Sequence, residues 1–140
     1  MPATIPDSHK DLLENPVYAT LVTVMPDGQP QASVVWCTYD GTNVLVNTAR
    51  GRQKAKNMEA RPMATVLLVD PQNPYRYLEV RGSVELSEEG ALDLINALAK
   101  AYKGVDQYYG DFAPAEMKGK ETRVIGKISP KRVIAFPPAG

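Results

Sequence analysis

Stretches in which apolar and polar residues alternate dominate this chain of 140 residues, and such patterning with a period of two is typical of β-strands. The clearest case is 77–86, where the even-numbered residues are apolar or glycine and most of the others are polar. Residues 63–69 form instead a continuous apolar run, which predicts a buried strand. Further strands are predicted at 17–25, 32–39, 43–48, 123–128 and 132–136.

Helix-forming segments separate some of these strands. Residues 7–15 are predicted to form a helix that Asp7 or Ser8 caps and that ends before Pro16, because the residue before a proline disfavours the helical conformation. Residues 50–60 contain helix formers and no β-branched side chain, which predicts a second helix.

A third helix is predicted after Ser87, which is a suitable N-cap, and it ends at Gly104. Its apolar face is expected to consist of Leu92, Ile95, Ala99 and Tyr102. Strands linked mostly by hairpins, with three helices, favour a mainly β fold: a six- or seven-stranded antiparallel barrel formed by one domain over residues 1–140.

Composition excludes several kinds of chemistry. The 16 basic and 16 acidic residues give a net charge of zero, which argues against a strongly basic nucleic-acid binder. A single cysteine, Cys37, and a single histidine, His9, exclude an internal disulfide and a histidine-rich metal site. We expect Cys37 to be a small buried residue and His9 to be exposed. No signal peptide or apolar run of about 18 residues is present, so we expect a cytoplasmic protein without a membrane partner.

The neutral total conceals an uneven distribution of charge. Residues 50–61 contain five basic residues and one acidic residue, and residues 118–132 contain six basic residues and one acidic residue. Acidic residues predominate at 79–93, between these two clusters. Local positive charge is therefore available for an anion.

The first basic cluster begins where a predicted strand gives way to a helix. Free backbone N–H groups and the helix dipole make such a junction suitable for an anion, and Arg52 and Lys54 fall in the first turn. Asn57 shares a helix face with Lys54, and the Thr48 hydroxyl is expected nearby. The alternative is a solvated basic face; nucleic-acid binding is less favoured because no aromatic residues are interleaved.

Several segments, taken in order, resemble one known superfamily. They are Thr-Val-Met-Pro-Asp-Gly-Gln-Pro-Gln at 23–31, Val-Val-Trp at 34–36, Asp-Gly at 40–41 and Arg-Gln-Lys-Ala-Lys-Asn-Met at 52–58. Together with Ile-Ser-Pro-Lys-Arg-Val at 128–133, they resemble the pyridoxamine 5′-phosphate oxidase-like superfamily, whose fold is a split β-barrel of the FMN-binding type. Pro-Tyr-Arg-Tyr-Leu-Glu-Val-Arg-Gly at 74–82 is similar to its branch of F420-dependent reductases.

The resemblance implies a binding role for particular residues. Arg52 and Lys54 would bind the phosphate of the cofactor or an acidic tail beyond it, Thr48 and Asn57 would add hydrogen bonds, and the strand at 33–36 would lie along the ring system. The implied cofactor-binding residues are Ser33, Val34, Trp36, Thr48, Ala49, Arg52, Gln53, Lys54 and Asn57. Tyr75 and Tyr77 are candidates for a substrate pocket. No catalytic side chain and no metal ligand is assigned.

The implied activity is that of an F420-dependent reductase. Reduced deazaflavin would pass a hydride to a small conjugated or electron-poor organic substrate, and the protein would be a homodimer with the cofactor in the cleft between subunits. Two alternatives remain open: an FMN-dependent oxidoreductase on the same fold, and a non-catalytic flavin-binding or storage protein.

Overall fold

Seven antiparallel strands form one curled sheet in the computed structural model, which describes residues 3–138. The order across the sheet is β2-β1-β5-β6-β7-β4-β3. The strands are β1 (Ala19–Val24), β2 (Pro30–Val35), β3 (Cys37–Tyr39), β4 (Val44–Ala49), β5 (Met63–Asp70), β6 (Asn73–Ser87) and β7 (Arg123–Phe136). This arrangement confirms the predicted mainly β fold, which is consistent with a split barrel.

Helices occupy several of the segments between the strands and pack against the sheet. A 3-10 turn at Asp7–His9 precedes α1, and another 3-10 turn, Ala115–Gly119, precedes β7. The helices are α1 (Asp11–Glu14), α2 (Gln53–Ala60), α3 (Ala91–Lys103) and the short, kinked α4 (Tyr108–Asp111). The three predicted helical regions are therefore present, and α4 is an addition.

The core fills the concave side of the sheet. On β5, Ala64, Val66 and Leu68 are buried there, whereas Leu67 and Val69 on the opposite face remain partly exposed. The apolar run at 63–69 is thus a strand that is buried on one face only. Cys37 is buried as expected.

Two predicted strand boundaries are wrong. The predicted strand at 32–39 is interrupted at Trp36, which separates β2 from β3. Conversely, the two predicted C-terminal strands are one strand, β7, because Pro130 lies opposite Gly82 at an irregularity in the pairing with β6. A bulge tolerates a residue without an N–H group, and a Cβ on Gly82 would overlap the Ser129 carbonyl.

The N-terminal prediction also needs correction. His9 is buried, not exposed, because its Nε2 lies 3.0 Å from the Phe136 carbonyl oxygen. The Ser8 hydroxyl lies 2.8 Å from Nδ1 of the same ring and makes no cap hydrogen bond. The segment therefore forms a 3-10 turn and one short helix in place of a continuous helix.

The start of α3 differs from the prediction as well. Ser87 is the last residue of β6, and the N-cap of α3 is Gly90 in the left-handed conformation, with a φ of 79°. This later start turns Leu92 outward and places Ala91 and Leu98 in the buried face beside Ile95. The predicted stop at Gly104 is confirmed, with a φ of 71°.

Candidate functional site

A cleft of about 190 Å³ lies where the N-terminus of α2, strand β4 and the α3–α4 region meet. Its lining combines three cations with aromatic and apolar side chains. Its lining residues are Tyr18, Val34, Val35, Trp36, Asn47, Arg52, Lys54, Ile95, Leu98, Tyr108, Phe112 and Arg123.

Two arginines on the cationic side are held in place by hydrogen bonds. Arg52, the N-cap residue of α2, places Nη2 2.9 Å from Oε2 of Glu121. Arg123 at the start of β7 is buried, and its Nε donates a 2.9 Å bond to the Asn47 side-chain oxygen. Its guanidinium also lies 5.0 Å from the centre of the Tyr108 ring, at cation–π distance. Both positive groups are thus oriented before any ligand is present.

Lys54 supplies the third cation, from the first turn of α2. Within residues 3–138, no carboxylate lies within 4.0 Å of its ammonium group. Burial lowers the pKa of Lys54, and the nearby charges of Arg52 and Arg123 lower it further. A half-buried ammonium beside two guanidinium groups favours an anionic ligand, because an anion relieves the repulsion between them.

Glu121 is the carboxylate that binds this cluster. The Tyr109 hydroxyl donates a 2.7 Å bond to Oε1, and Nη1 of Arg123 lies 3.5 Å from the same oxygen. Burial acts to raise the pKa of Glu121, but the hydrogen bonds from Tyr109 and Arg52 outweigh it, and the pKa lies below its ordinary value. Glu121 therefore stays ionised and joins the cations to the segment that carries the aromatic wall.

The aromatic part of the cleft is a wall of rings around Trp36, which adjoins the cations where Arg123 lies over Tyr108. The indole stacks on the Tyr102 ring at 5.5 Å between centroids. Phe112 lies 5.2 Å from the indole at a tilt, and Tyr108 meets it edge-on at 6.0 Å. These rings offer a flat apolar surface a short distance from the three cations, as a ligand with a planar ring and an anionic group requires.

Four of the predicted binding residues line the cleft: Val34, Trp36, Arg52 and Lys54. Ser33 and Thr48 do not line it, although their hydroxyl oxygens are buried without a hydrogen-bond partner in residues 3–138. Ala49, next to Thr48, is buried as well.

The side chain of Asn57 is fully buried in the interior of the fold. Its Nδ2 donates a 3.0 Å bond to the Thr23 hydroxyl, and its Oδ1 accepts a 2.8 Å bond from Nε2 of Gln53. Both side chains thus bond within the chain and lie outside the cleft lining. The role of Asn57 and Gln53 in cofactor binding stays a prediction.

The two predicted substrate-pocket tyrosines lie elsewhere. Tyr75 is 79% exposed in the β5–β6 hairpin, and Tyr77 stacks on Phe136 at 5.6 Å. Neither lines the cleft, and their role also stays a prediction.

Sequence reasoning missed Asn47, Arg123 and Phe112 as lining residues. For Arg123, the signal was the second basic cluster at 118–132, which the β4–β7 pairing brings beside the first.

Within residues 3–138, no helix has the length and apolar character needed to cross a membrane. No three metal-ligating His, Cys, Asp or Glu side chains converge in that part of the chain.

Comparison with known proteins gives both a family match and structural matches. Residues 5–136 match the family described as Pyridoxamine 5′-phosphate oxidase. A solved structure described as an F420 reductase is 35% identical, covers 93% of this chain and 98% of its own, and superposes with a TM-score of 0.78.

Two more distant structures share the fold. A conserved hypothetical protein of Mycobacterium tuberculosis is 23% identical, with coverage of 99% of this chain and 92% of its own and a TM-score of 0.72. HupZ of Group A Streptococcus is 22% identical, with coverage of 98% of this chain and 100% of its own and a TM-score of 0.68. At these identities the likeness bears on the fold alone.

Proposed function

Because the chain belongs to the pyridoxamine 5′-phosphate oxidase family, we propose that it is an F420-dependent reductase acting on a small conjugated or electron-poor organic substrate. The family's split barrel is a flavin-binding fold of oxidoreductases. The observation that carries the proposal is one cleft whose lining contains Arg52, Lys54 and Arg123 together with an aromatic wall. Similarity to an F420 reductase over 93% of the chain favours the deazaflavin over FMN.

The residues present fit such a cofactor. Lys54 has no carboxylate partner among residues 3–138, and its ammonium would bind the cofactor phosphate together with Arg52 and Arg123. Charge-assisted hydrogen bonds of this kind are stronger than neutral ones. Val34, 68% exposed at the edge strand, and Trp36 would lie along the ring system.

The chain's own part in the reaction is binding and orientation. A reduced deazaflavin, when bound, supplies the hydride, so no protein nucleophile or metal is needed. The apolar side of the cleft, formed in part by Val34, Ile95 and Leu98, would exclude water from the reacting faces. The cations at the other end would fix the position of the ring relative to a substrate.

We further propose that the protein is a homodimer that completes this site between two copies. The cleft of one chain, about 190 Å³, is smaller than the ~300–1,000 Å³ of ordinary ligand pockets. The convex faces of β1 and β5 carry partly exposed apolar residues, among them Val22, Leu67 and Val69. A second copy covering this face would remove apolar surface from water.

Titration of the apo-protein with F420 and with FMN tests the proposed cofactor. The chain has one tryptophan, and Trp36 lines the cleft, so its fluorescence reports occupancy directly. We expect F420 to quench Trp36 at lower concentration than FMN does. Tight binding of FMN without affinity for F420 would contradict the proposal and favour an FMN-dependent oxidoreductase.

A second measurement separates an enzyme from a binding protein. Reduced F420 is mixed with the protein and a panel of quinones and α,β-unsaturated carbonyl compounds, and reoxidation is followed by absorbance. We expect protein-dependent reoxidation with at least one acceptor. Binding without turnover on any acceptor would favour a flavin-binding or storage protein.

A further inference from the structure

We propose that Glu121 is a specificity-determining residue, which biases the cleft toward a singly charged phosphate diester and against a doubly charged phosphate monoester. This inference rests on the proposed function, in that it requires the three cations to bind the phosphate of a flavin or deazaflavin. It goes further by assigning the choice between two classes of phosphate to one carboxylate.

Glu121 is placed where it reduces the positive charge of the cluster. Its two carboxylate oxygens lie 2.9 Å from Nη2 of Arg52 and 3.5 Å from Nη1 of Arg123. Both guanidinium groups share this carboxylate. Within residues 3–138, Lys54 is left as the lining cation without a carboxylate partner. Three cations and one carboxylate leave this cluster with two formal positive charges, so Glu121 weakens its attraction for each negative charge that a ligand carries.

The carboxylate is also fixed in place. Its side chain is only 16% exposed, and the Tyr109 hydroxyl donates a 2.7 Å hydrogen bond to Oε1. The carboxylate therefore cannot turn into solvent without breaking three contacts. A phosphate bound by Arg52 and Arg123 would sit close to this fixed negative charge.

A fixed negative charge acts more strongly on a ligand with more charge. Coulomb energy is proportional to the charge on each partner, so Glu121 disfavours a dianion about twice as much as a monoanion. The phosphate of FMN is a monoester and is doubly charged above its second pKa of about 6. The phosphate of F420 is a diester with one charge. Glu121 thus favours the F420 type of phosphate.

The test uses a matched pair of ligands with one ring system. These are the flavin or deazaflavin 5′-phosphate and the methyl ester of the same phosphate, whichever ring the wild-type protein binds. Both are titrated at pH 8 with Trp36 fluorescence as the readout. In Glu121→Gln, we expect affinity for the monoester to rise about tenfold and for the methyl ester about threefold, a threefold change in their ratio.

The direction of the ratio separates loss of the negative charge from loss of positioning, because a displaced Arg52 would weaken binding of the dianion more than that of the monoanion, which is the opposite change. Glu121→Asp retains the charge and should leave the ratio within about a factor of 1.5 of the wild-type value. Tyr109→Phe removes a hydrogen bond without changing the charge, so the ratio of the two affinities should also stay within about a factor of 1.5 of the wild-type value. If the wild-type protein binds neither compound, the proposed function itself fails. If it binds both and Glu121→Gln leaves their ratio unchanged, the charge-selecting role of Glu121 is wrong.

Discussion

The ring of Tyr102 stacks on the indole of Trp36, with 5.5 Å between centroids and 15° between planes. The same tyrosine accepts a 3.1 Å hydrogen bond from the Cys37 N–H and donates a 2.7 Å bond to the Val17 carbonyl. One residue of α3 thus supplies partners to backbone groups at the break between β2 and β3. It also supports the aromatic wall of the cleft from behind.

Removing this hydroxyl should destabilise the fold. Tyr102→Phe keeps the stacked ring but leaves the N–H of the buried Cys37 without its partner. We expect the free energy of unfolding to fall by about 1–3 kcal/mol, measured by urea denaturation. The matched control is Tyr39→Phe, because the hydroxyl of Tyr39 donates an exposed hydrogen bond to the Gly41 carbonyl. This substitution should lower the free energy of unfolding by about 0.5 kcal/mol or less. Equal effects of both substitutions would contradict a special role for Tyr102.

Alternation in the sequence predicts the strands well, because a side-chain period of two follows directly from strand geometry. It does not predict the break at Trp36, since the apolar pattern continues through it and Tyr102, 65 positions from Cys37, stabilises it. Nor does it predict the continuity of β7 through Pro130. That continuity depends on Gly82 in the neighbouring strand.

Lys54→Ala should weaken cofactor binding and leave stability nearly unchanged. A charged hydrogen bond to phosphate contributes about 1.5–3 kcal/mol, so affinity should fall roughly tenfold to a hundredfold. The free energy of unfolding, measured by urea denaturation, should change by about 0.5 kcal/mol or less, because Lys54 makes no ion pair within residues 3–138. Lys56→Ala, exposed on the same helix, is the control and should bind normally. Normal binding by Lys54→Ala would identify the cluster as a solvated basic face.

Asn57→Ala should show the opposite pattern. Its side chain is fully buried and bonds Thr23 and Gln53, so the unpaired partners should cost about 1–3 kcal/mol of unfolding free energy. Gln53 is the exposed partner in its hydrogen bond with Asn57, so Gln53→Ala should lower the free energy of unfolding by less than Asn57→Ala does. A variant of Asn57 that keeps full stability but loses cofactor affinity would contradict this structural role and support direct binding.

The candidate site was only partly predictable for a related reason. Arg52 and Lys54 are two positions apart in sequence, and a strand-to-helix junction with basic residues is recognisable locally. Arg123 joins them through the β4–β7 register, which pairs Ala49 with Arg123. That pairing is non-local, and a list of residues in sequence order does not contain it. Asn57 was predicted from local spacing to share a helix face with Lys54. In the structure it is instead buried and hydrogen-bonded to Thr23 of β1, which the local spacing does not reveal.

The apolar convex face predicts that a charge on it will separate the proposed dimer. Leu67→Glu places a carboxylate on the partly exposed side of β5, where a second copy would bury it at a cost of several kcal/mol. We expect light scattering after size exclusion to give the dimer mass for the wild-type chain and the monomer mass for the variant. Ala101→Glu, exposed on α3, should remain dimeric. A wild-type monomer at micromolar concentration would contradict the proposed assembly.

Burial of Cys37 predicts a specific loss of stability at high pH. Burial raises the pKa of this thiol from 9.0 to about 12, and the hydrogen bond with Tyr102 offsets only part of that effect. Above pH 9.0 the unfolded chain therefore loses the proton while the folded chain retains it. The stability that the neutral thiol contributes is complete below that pH and is lost as the pH rises toward about 12.

Urea denaturation between about pH 8 and 10.5 measures this loss, because the slope approaches about 1.4 kcal/mol per pH unit for one proton. Tyrosines and lysines titrate in the same range, so the relevant quantity is the difference between the wild-type chain and Cys37→Ala, which lacks the thiol and its influence on Tyr102. We expect the stability advantage of the wild-type chain to shrink steadily above pH 9.0, the ordinary value for the thiol. A difference independent of pH would show that the thiol ionises equally in the folded and unfolded chains, which is incompatible with its 2% exposure.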